Sequence, residues 1–525
     1  MSTRHDERLY LIRFVQLHES FRLPELRALA EFHGIDLDVV DYRAQSPFTI
    51  VRLPTPEVAR LLISRSILAL SISSLWGTAS TYDDLHIHLK THTSHLWPTY
   101  HTCPFRFTID SFQGKRPQST RTELINSFGY MDMQGPIRPS DPAVATFVIS
   151  EEYPVLHAPK PPSPSSPSSS PNPSAPIPSR VFLSISPSPS SRHLTTTLDL
   201  KHRHYISTTS MDAELSLISA NLALSSACKI IYDPFCGTGS FLVAAAAFGA
   251  MVAGSDMDGR VVRGRVKEAK NVVVKEGKKR AGEERERKER ERERGKGEGR
   301  GEGTGGKDKE KEKERSVRGN LRQYGLEERW LDGFAGDLTN SPVRNAGWGR
   351  EGEGALGGKG RWLDGIICDP PYGVREGLKV LGSHKPELQQ EVKMKDGRVA
   401  HLAPGYIPPK RPYSFPALLS DILTFASNTL VDNGRLCIWI PVATTSDEAN
   451  PTTTEDMGIP THPCLRVWSV STQEFSRWSR RLVVYARKPD NEVDDDQLKE
   501  YNSMRGKELE KGTADELNEF RRRAS

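Results

Sequence analysis

The sequence predicts an α/β protein in which a ferredoxin-like α+β unit precedes a Rossmann-like, doubly wound α/β domain. Three observations support this fold class. The first 76 residues show the strand and helix order βαββαβ. From residue 208 onward strands alternate with helices, and the alternation ends in two adjacent strands. A glycine-rich turn joins the first strand of this second part to the helix that follows it.

The first unit is predicted from hydrophobic runs separated by turn signals. Pro24 and Gly34 are typical start and stop signals of a helix. The segment Gln45-Ser46-Pro47 is a turn signal between two short β-branched runs. The strands and helices are predicted over residues 9–15, 24–33, 37–43, 48–53, 56–65 and 67–76.

The next region predicts three further strands and one insertion. The strands cover residues 105–112, 145–153 and 181–186. Residues 159–179 are rich in Pro and Ser and cannot pack a core, so we interpret them as an insert within a loop.

The second half contains the most regular alternation. Thr209 to Asp212 match a capping box, which predicts a helix that continues to Leu224. Residues 274–316 form a Lys/Arg/Glu block, which we interpret as a solvated insert in preference to an RNA clamp. The predicted divisions are a ferredoxin-like domain at 1–80, a second α+β region at 81–195, a doubly wound domain at 196–490 and a charged tail at 491–525.

Composition limits the class of protein. The net charge of +5 permits a nucleic-acid partner without requiring one. The six cysteines form no CxxC pair, so the sequence predicts neither a metal site nor a disulfide framework. The N-terminus lacks the apolar core of a signal peptide, and no apolar run reaches about 18 residues. We therefore expect a cytoplasmic protein that does not enter a membrane.

The first candidate site is the turn from Asp233 to Ser240, between a predicted strand and a predicted helix. Gly237 and Gly239 let a ligand approach the backbone, and the helix N-terminus offers N–H groups to an anion. The third glycine of a GxGxxG turn is missing, which disfavours a dinucleotide. Asp256 ends the next strand and can accept hydrogen bonds from ribose hydroxyls, although Asp258 and an ordinary turn role are alternatives.

Asp337 ends a later predicted strand. Its carboxylate could accept a hydrogen bond from an adenine amine, but a loop cap is nearly as good an interpretation.

The second candidate site is Asp369-Pro370-Pro371-Tyr372-Gly373, at the end of the predicted strand LDGIIC. Ligands of open α/β sheets bind at this end of the strands. An exocyclic base amine is a poor nucleophile, because its lone pair is delocalised into the ring. The Asp369 carboxylate and the Pro370 carbonyl can accept its two hydrogens, and the prolines hold that carbonyl rigidly. Tyr372 can stack on the extruded base. A rigid turn is the structural alternative.

Four segments in order resemble the catalytic subunit of the eukaryotic tRNA guanosine-10 N2-methyltransferases. They are HRHYISTTSMDAELSLISANLAL, IYDPFCGTGSFLVAAAAFGA, LRQYGLEERWLDGFAGD and LDGIICDPPYGVRE. The resemblance implies a class I methyltransferase domain preceded by a ferredoxin-like and THUMP-type RNA-binding region. It also implies S-adenosylmethionine as methyl donor, tRNA as substrate and a small zinc-containing activator subunit as partner.

The resemblance assigns roles to the candidate residues. Asp369 to Tyr372 would hold the target amine. The cofactor-binding candidates are Thr209, Asp233, Phe235, Gly237, Gly239, Asp256 and Asp337. The three inserts at 159–179, 274–316 and 347–360 depart from the family and leave the motifs intact.

Three other functions remain open at this stage. DPPY also serves adenine or cytosine amino-methyltransferases that act on DNA or RNA. A catalytically inactive tRNA-binding scaffold is a non-enzymatic alternative, although the intact glycines and DPPYG argue against decay. A protein-glutamine methyltransferase ranks last, because it usually has Asn at the position of Asp369.

Overall fold

The computed structural model describes most of the chain outside the long inserts. The described residues are 8–112, 116–139, 141, 144–154, 177–259, 315–343, 360–373, 378–383, 391, 393–394, 397–400, 409–443, 458–475 and 478–505. All but the last three residues of the predicted Pro/Ser insert, and all but the last two of the charged insert, lie outside these ranges.

A seven-stranded sheet occupies the first part of the chain. Its order is β2-β3-β1-β4-β7-β6-β5, and the first six elements confirm the predicted βαββαβ order. The elements are β1 (Arg8–Phe14), α1 (Glu19–His33), β2 (Asp38–Tyr42), β3 (Phe48–Leu53), α2 (Pro56–Ile63), β4 (Ala69–Ala79), α3 (Tyr82–His92), β5 (Phe105–Phe112), α4 (Gln118–Asn126), β6 (Ala145–Glu152), β7 (Arg180–Pro189) and α5 (His193–Thr197). Because β4 pairs with both β1 and β7, one continuous sheet spans both predicted N-terminal regions.

The start of α1 differs from the prediction. The helix begins at Glu19, so Pro24 lies inside it. Proline has no N–H to donate to the carbonyl four residues earlier, which here belongs to Ser20. The Ser20 carbonyl instead accepts a hydrogen bond from Ser471 Oγ, 3.1 Å away, on a strand of the second sheet. A contact between the two sheets thus makes an internal proline acceptable.

The second sheet also has seven strands, in the order β10-β9-β8-β11-β14-β16-β15. Its strands run parallel except β16, which is antiparallel to both neighbours and forms the predicted terminal hairpin with β15. The elements are α6 (Ala213–Leu222), β8 (Ile230–Asp233), α7 (Ser240–Ala247), β9 (Met251–Asp256), α8 (Val317–Gln323), β10 (Trp330–Ala335), β11 (Leu363–Cys368), β12 (Lys379–Leu381), β13 (Lys410–Pro412), α9 (Phe415–Thr429), β14 (Leu430–Ala443), β15 (Leu465–Glu474), β16 (Trp478–Arg487) and α10 (Asp495–Arg505). The strand order reverses between β8 and β11, which places the switch point there.

One local prediction needs correction, and the structure adds a helix to the charged tail. The predicted capping box at Thr209 is wrong: Asp212 caps α6, and its Oδ1 accepts from the backbone N–H of Leu215 at 2.8 Å. The charged tail includes α10, which lies against the second domain. Tyr501 of that helix contacts the ring of His462 at 4.5 Å and hydrogen-bonds Ser420 Oγ at 3.1 Å.

The two sheets are joined through a buried carboxylate on α1. Glu25 is fully buried and accepts from Ser66 Oγ at 2.8 Å and from the N–H groups of Ile67 and Leu68 at 2.9 and 3.0 Å. Asn221 Nδ2 of α6 donates to the same carboxylate at 2.8 Å. Four donors from two segments of the chain therefore converge on one side chain.

Further contacts surround this carboxylate. Arg65 donates from Nη2 to the Ser225 carbonyl at 2.6 Å and lies over the ring of Phe248 at 4.2 Å. Arg435 of β14 reaches Glu31 of α1, with 2.6 Å between Nη2 and Oε1. The N-terminal sheet is thus held against the second domain by charged and aromatic groups as well as by packing.

We predict that Glu25→Ala lowers the free energy of unfolding by about 3 kcal/mol or more, because it leaves buried donors without their acceptor. Urea denaturation of the whole chain measures this change. Glu57→Ala is the matched control: Glu57 is 71% exposed and pairs with Arg60, so its loss should cost under about 0.5 kcal/mol. Equal effects of the two substitutions would refute the role of Glu25 as a clamp.

Candidate functional site

The glycine turn lies at the carboxyl end of β8 and leads directly into α7. Asp233 is buried, and its Oδ1 accepts from the N–H of Phe235 at 2.9 Å, which closes the first part of the turn. Gly237 and Gly239 have φ angles of +47° and +80°, a backbone conformation that favours glycine. The predicted strand–turn–helix arrangement is confirmed.

The two glycines meet different surroundings. A Cβ on Gly239 would lie 2.7 Å from Cγ1 of Val317, so this glycine lets α8 pack against the turn. A Cβ on Gly237 would have the Phe235 carbonyl oxygen, at 3.9 Å, as its only neighbour within 4 Å among the described residues. Gly237 therefore borders space that a ligand can occupy.

Asp256 is drawn to the same turn. Its Oδ2 accepts from the N–H of Gly237 at 3.0 Å, and its Oδ1 accepts from the N–H of Asp258 at 2.8 Å. Burial raises the pKa of Asp256, and these two backbone donors oppose that shift. The pKa of Asp233 lies well above its ordinary value because of burial and because of the nearby charges of Asp256 and Asp369.

Two predicted residues take more local roles. Asp337 is buried, and its two oxygens accept from the N–H groups of Thr339 and Leu381 at 2.8 and 2.6 Å. Its Oδ1 therefore caps a short 3₁₀ turn, as the structural alternative predicted. Thr209 is exposed and lies 3.1 Å from Ser207 through their hydroxyls.

Polar residues that the sequence analysis missed connect this loop to the glycine turn. Ser210 Oγ lies 2.7 Å from Thr238 Oγ1. Asn320 donates from Nδ2 to the carbonyls of Thr238 and Tyr205, at 3.0 and 2.8 Å. Asn320 follows the long insert, and no sequence motif indicated it.

Asp369 follows β11 and faces the glycine turn across the switch point. Its Oδ1 accepts a hydrogen bond from the Tyr372 hydroxyl, and Arg480 Nη1 lies 3.7 Å from its Oδ2. The side chain retains 23% exposure, and burial raises its pKa to about 6 while Tyr372 and Arg480 oppose the shift. The nearby charge of Asp369 raises the pKa of Asp233, so the structure brings the two predicted motifs together.

Aromatic side chains lie beside Asp369. The ring of Tyr372 meets Trp478 edge-on, with centroids 6.3 Å apart and planes at 73°. Trp478 stacks on Phe475 at 4.4 Å, and Phe475 is 40% exposed. Pro370 is buried and Pro371 is exposed. Phe235 is half-buried against the core beneath this end of the sheet.

Arg480 is a further residue of this site that the sequence analysis did not identify. Arg480 lies within β16, which covers Trp478–Arg487. A single Arg in a strand that continues with another Arg gives no signal of a site. Only the register of β16 against β14 places it near Asp369.

The arrangement combines an anionic acceptor, a rigid proline carbonyl and a glycine turn at one edge of a parallel sheet. Such a site can hold a polar planar group at Asp369 and a second ligand at Gly237. Within the described part of the chain, no helix is long and apolar enough to cross a membrane.

Comparisons with known proteins identify two family matches and several similar proteins. Residues 8–167 match the family described as Tmrp11 THUMP N-terminal domain, and residues 201–341 match the RMKL-like methyltransferase domain. A protein of Saccharomyces cerevisiae named tRNA (guanine(10)-N(2))-methyltransferase is 34% identical over 91% of this chain and 92% of its own length. The human protein of that name, TRMT11, is 30% identical over 90% of this chain and 87% of its own.

A solved structure also aligns with most of the chain. TrmN from Thermus thermophilus covers 91% of this chain and 99% of its own, at 15% identity and a TM-score of 0.36. This similarity is too low to bear on the argument.

We predict that Gly237→Val lowers the affinity for S-adenosylmethionine about tenfold or more, because a β-branched residue at positive φ displaces the turn. Calorimetric titration with the methyl donor measures the affinity. Gly325→Val is the matched control, since Gly325 has a φ of +71° and open surroundings outside the site. A loss of affinity in both variants would assign the effect to general backbone strain.

Proposed function

This chain belongs to the family of tRNA (guanine(10)-N(2))-methyltransferases, and on that premise we propose how its residues carry out the reaction. The enzyme transfers a methyl group from S-adenosylmethionine to the exocyclic N2 of guanosine 10 in tRNA. The names of its relatives favour guanine over the adenine of the alternative considered above. The residue assignments below are our own inference from the geometry.

The glycine turn fits S-adenosylmethionine. The open side of Gly237 admits the ligand close to the backbone, and the N-terminus of α7 favours its carboxylate. Asp256 is placed to accept from the ribose hydroxyls, while its hydrogen bond to Gly237 couples it to the turn. Asp233 and Gly239 shape the turn, and the bound donor supplies a methyl group on a sulfonium.

Three candidates would complete the donor site. Phe235 borders the turn, and Asp337 lies beyond the end of β10, the second strand from β8. A carboxylate oxygen can accept more than one hydrogen bond, so the caps on Asp337 leave it able to accept from an adenine amine. Thr209 would approach the donor through the loop that Ser210 attaches to Thr238.

Asp369 would activate the guanine amine. Its carboxylate accepts one N2 hydrogen and the Pro370 carbonyl accepts the other, which directs the nitrogen lone pair toward the methyl group. The two prolines fix this carbonyl. After transfer, Asp369 is placed to take the proton that N2 releases, and a pKa of about 6 suits that exchange near neutral pH. The observation that carries the proposal is the position of Asp369 across the switch point from the glycine turn.

Tyr372 would contribute in two ways. Its ring offers a surface on which the extruded base can stack. Its hydroxyl donates to Asp369 Oδ1, which favours the carboxylate form and leaves Oδ2 facing Arg480. Pro371, between them, restricts the backbone that relates the two side chains.

The N-terminal sheet would bind tRNA. We assign residues 1–80 and 81–195 to binding and residues 196–490 to methyl transfer. The match to a THUMP N-terminal domain supports this division. The N-terminal sheet contains no group of the proposed transfer site. We place this activity in the cytoplasm, where tRNA is a substrate and free thiols persist.

The exposed edge of the second sheet would receive the activator subunit. β10 lies at one edge of this sheet, and Leu331 on it is 46% exposed. An apolar edge strand invites pairing with another chain unless it is covered. We therefore propose that the small zinc-containing activator adds a strand to β10.

We predict that Asp369→Ala lowers turnover on the order of a hundred- to a thousandfold, because it removes an acceptor needed as charge develops on N2. The affinity for S-adenosylmethionine should stay within a few-fold of the parent. Mass spectrometry of nucleosides from treated tRNA measures N2-methylguanosine formation. Turnover near that of the parent would remove Asp369 from the mechanism, and N6-methyladenosine as product would contradict the substrate.

Two variants of Tyr372 separate its contributions in the same assay. Tyr372→Phe keeps the ring and loses the hydrogen bond to Asp369. Tyr372→Ala also loses stacking, which is worth about 1–3 kcal/mol per base. Equal turnover in these two variants would exclude stacking on this ring.

We predict that Leu331→Arg weakens binding of the activator about tenfold or more, because it places a charge at the apolar edge that the partner would cover. Co-purification from cells that express both chains, followed by titration, measures binding. Leu61→Arg is the control, since Leu61 is 44% exposed on α2 of the other sheet. Unchanged binding with Leu331→Arg would place the activator elsewhere.

A further inference from the structure

Arg480 is held in a fixed position beside the DPPY segment. Its Nε donates to Gln473 Oε1 at 2.6 Å, across the β15–β16 hairpin. Its guanidinium carbon lies 4.6 Å from the ring centroid of Trp439 and 5.6 Å from that of Phe475. The side chain is 14% exposed. One amide and two aromatic rings therefore restrict the orientation of the guanidinium.

Trp439 under Arg480 is itself fixed from two sides. Its indole N–H donates to Ser219 Oγ of α6 at 3.2 Å, and its ring stacks on Phe21 of α1 at 5.8 Å. Arg480 is thus connected through Trp439 to helix α1 of the N-terminal domain.

The distance from Arg480 to Asp369 is informative. At 3.7 Å the guanidinium is within the range of an ion pair but beyond a good hydrogen bond. It therefore stabilises the negative charge without occupying the lone pairs of Oδ2, which the base amine needs. A direct bidentate pair would hold the carboxylate equally well but would compete with the substrate.

We propose that Arg480 is a positioning residue that keeps Asp369 anionic and correctly oriented for the amine, acting through Asp369 and not on the base. This proposal rests on the proposed function of Asp369. A buried carboxylate loses its charge unless a cation or donors stabilise it. The groups that face Asp369 are Tyr372 from its own segment, Arg480 from β16, Asp233 from β8 and the neighbouring Cys368 on β11. Arg480 is the positively charged member of this set, and Asp233 would oppose it when ionised.

The expected effect follows from the sign of the interaction. Asp369 must be ionised to accept from the amine, so turnover falls as the pH drops through its pKa of about 6. Removal of the Arg480 charge raises that pKa further. A neighbouring Arg lowers a carboxyl pKa by roughly 1–3 units, so the acid limb should move up by about one pH unit.

The test compares pH profiles of turnover at saturating tRNA and methyl donor for the parent, Arg480→Gln and Arg466→Gln. With a shift of about one unit, Arg480→Gln should be about fivefold slower than the parent at pH 6 and nearly equal to it at pH 8.5. Arg466→Gln is the matched control on the same hairpin: Arg466 is 51% exposed and pairs with Glu492 at 3.6 Å, so its profile should match the parent. A uniform loss at every pH in Arg480→Gln would overturn the proposal.

A second variant guards against misfolding of the first. Gln473→Ala removes the amide that holds Arg480 Nε and keeps the charge. It should move the acid limb in the same direction by a smaller amount, and an unmoved limb would overturn the proposal if Arg480→Gln does not fold. Asp369→Asn distinguishes the proposed role of Asp369 from that of Arg480. If Asp369→Asn keeps both its turnover and the acid limb of its pH profile, the role of Asp369 is refuted. If Asp369→Asn is inactive and the acid limb of Arg480→Gln does not move, only the role of Arg480 is refuted.

Discussion

The buried carboxylate of Glu25 is the constraint on which the arrangement of the two domains depends. Placing a carboxylate inside a protein is costly unless donors surround it. Here three donors come from residues 66–68, between α2 and β4, and the fourth is Asn221 of α6. Because Asn221 belongs to the second domain, Glu25 has all four donors only when the N-terminal sheet is docked. Burial raises its pKa while these four bonds lower it, so the network and the docking stabilise each other.

The first turn of α1 also contacts the second sheet. The contacts of Ser20 with β15 and of Phe21 with Trp439 lie at its first turn. Trp439 in turn supports Arg480, which faces Asp369. The domain assigned to tRNA binding is therefore connected to the proposed transfer site by a continuous series of side-chain contacts.

The site itself concentrates carboxylates in a small volume. Asp233, Asp256 and Asp369 are each buried enough that their pKa values rise, and the charges of Asp256 and Asp369 raise the pKa of Asp233 further. Backbone N–H groups offset burial at Asp256, whereas a side-chain cation and a phenol do so at Asp369. This difference fits their proposed tasks. Asp256 would accept hydrogen bonds from the methyl donor without changing its charge, whereas Asp369 would take up and release a proton during each turnover.

The sequence by itself predicted the βαββαβ order, the terminal hairpin, the glycine turn between a strand and a helix, and the DPPY segment at the end of a strand. These features depend on periodicity, glycines and prolines, which are local in the chain. The tertiary structure alone decided that α1 starts before Pro24, that β4 joins both N-terminal regions in one sheet, and that Arg480 faces Asp369. Such contacts depend on how distant strands align and how the domains dock, and a local sequence pattern does not specify which distant residues it will contact.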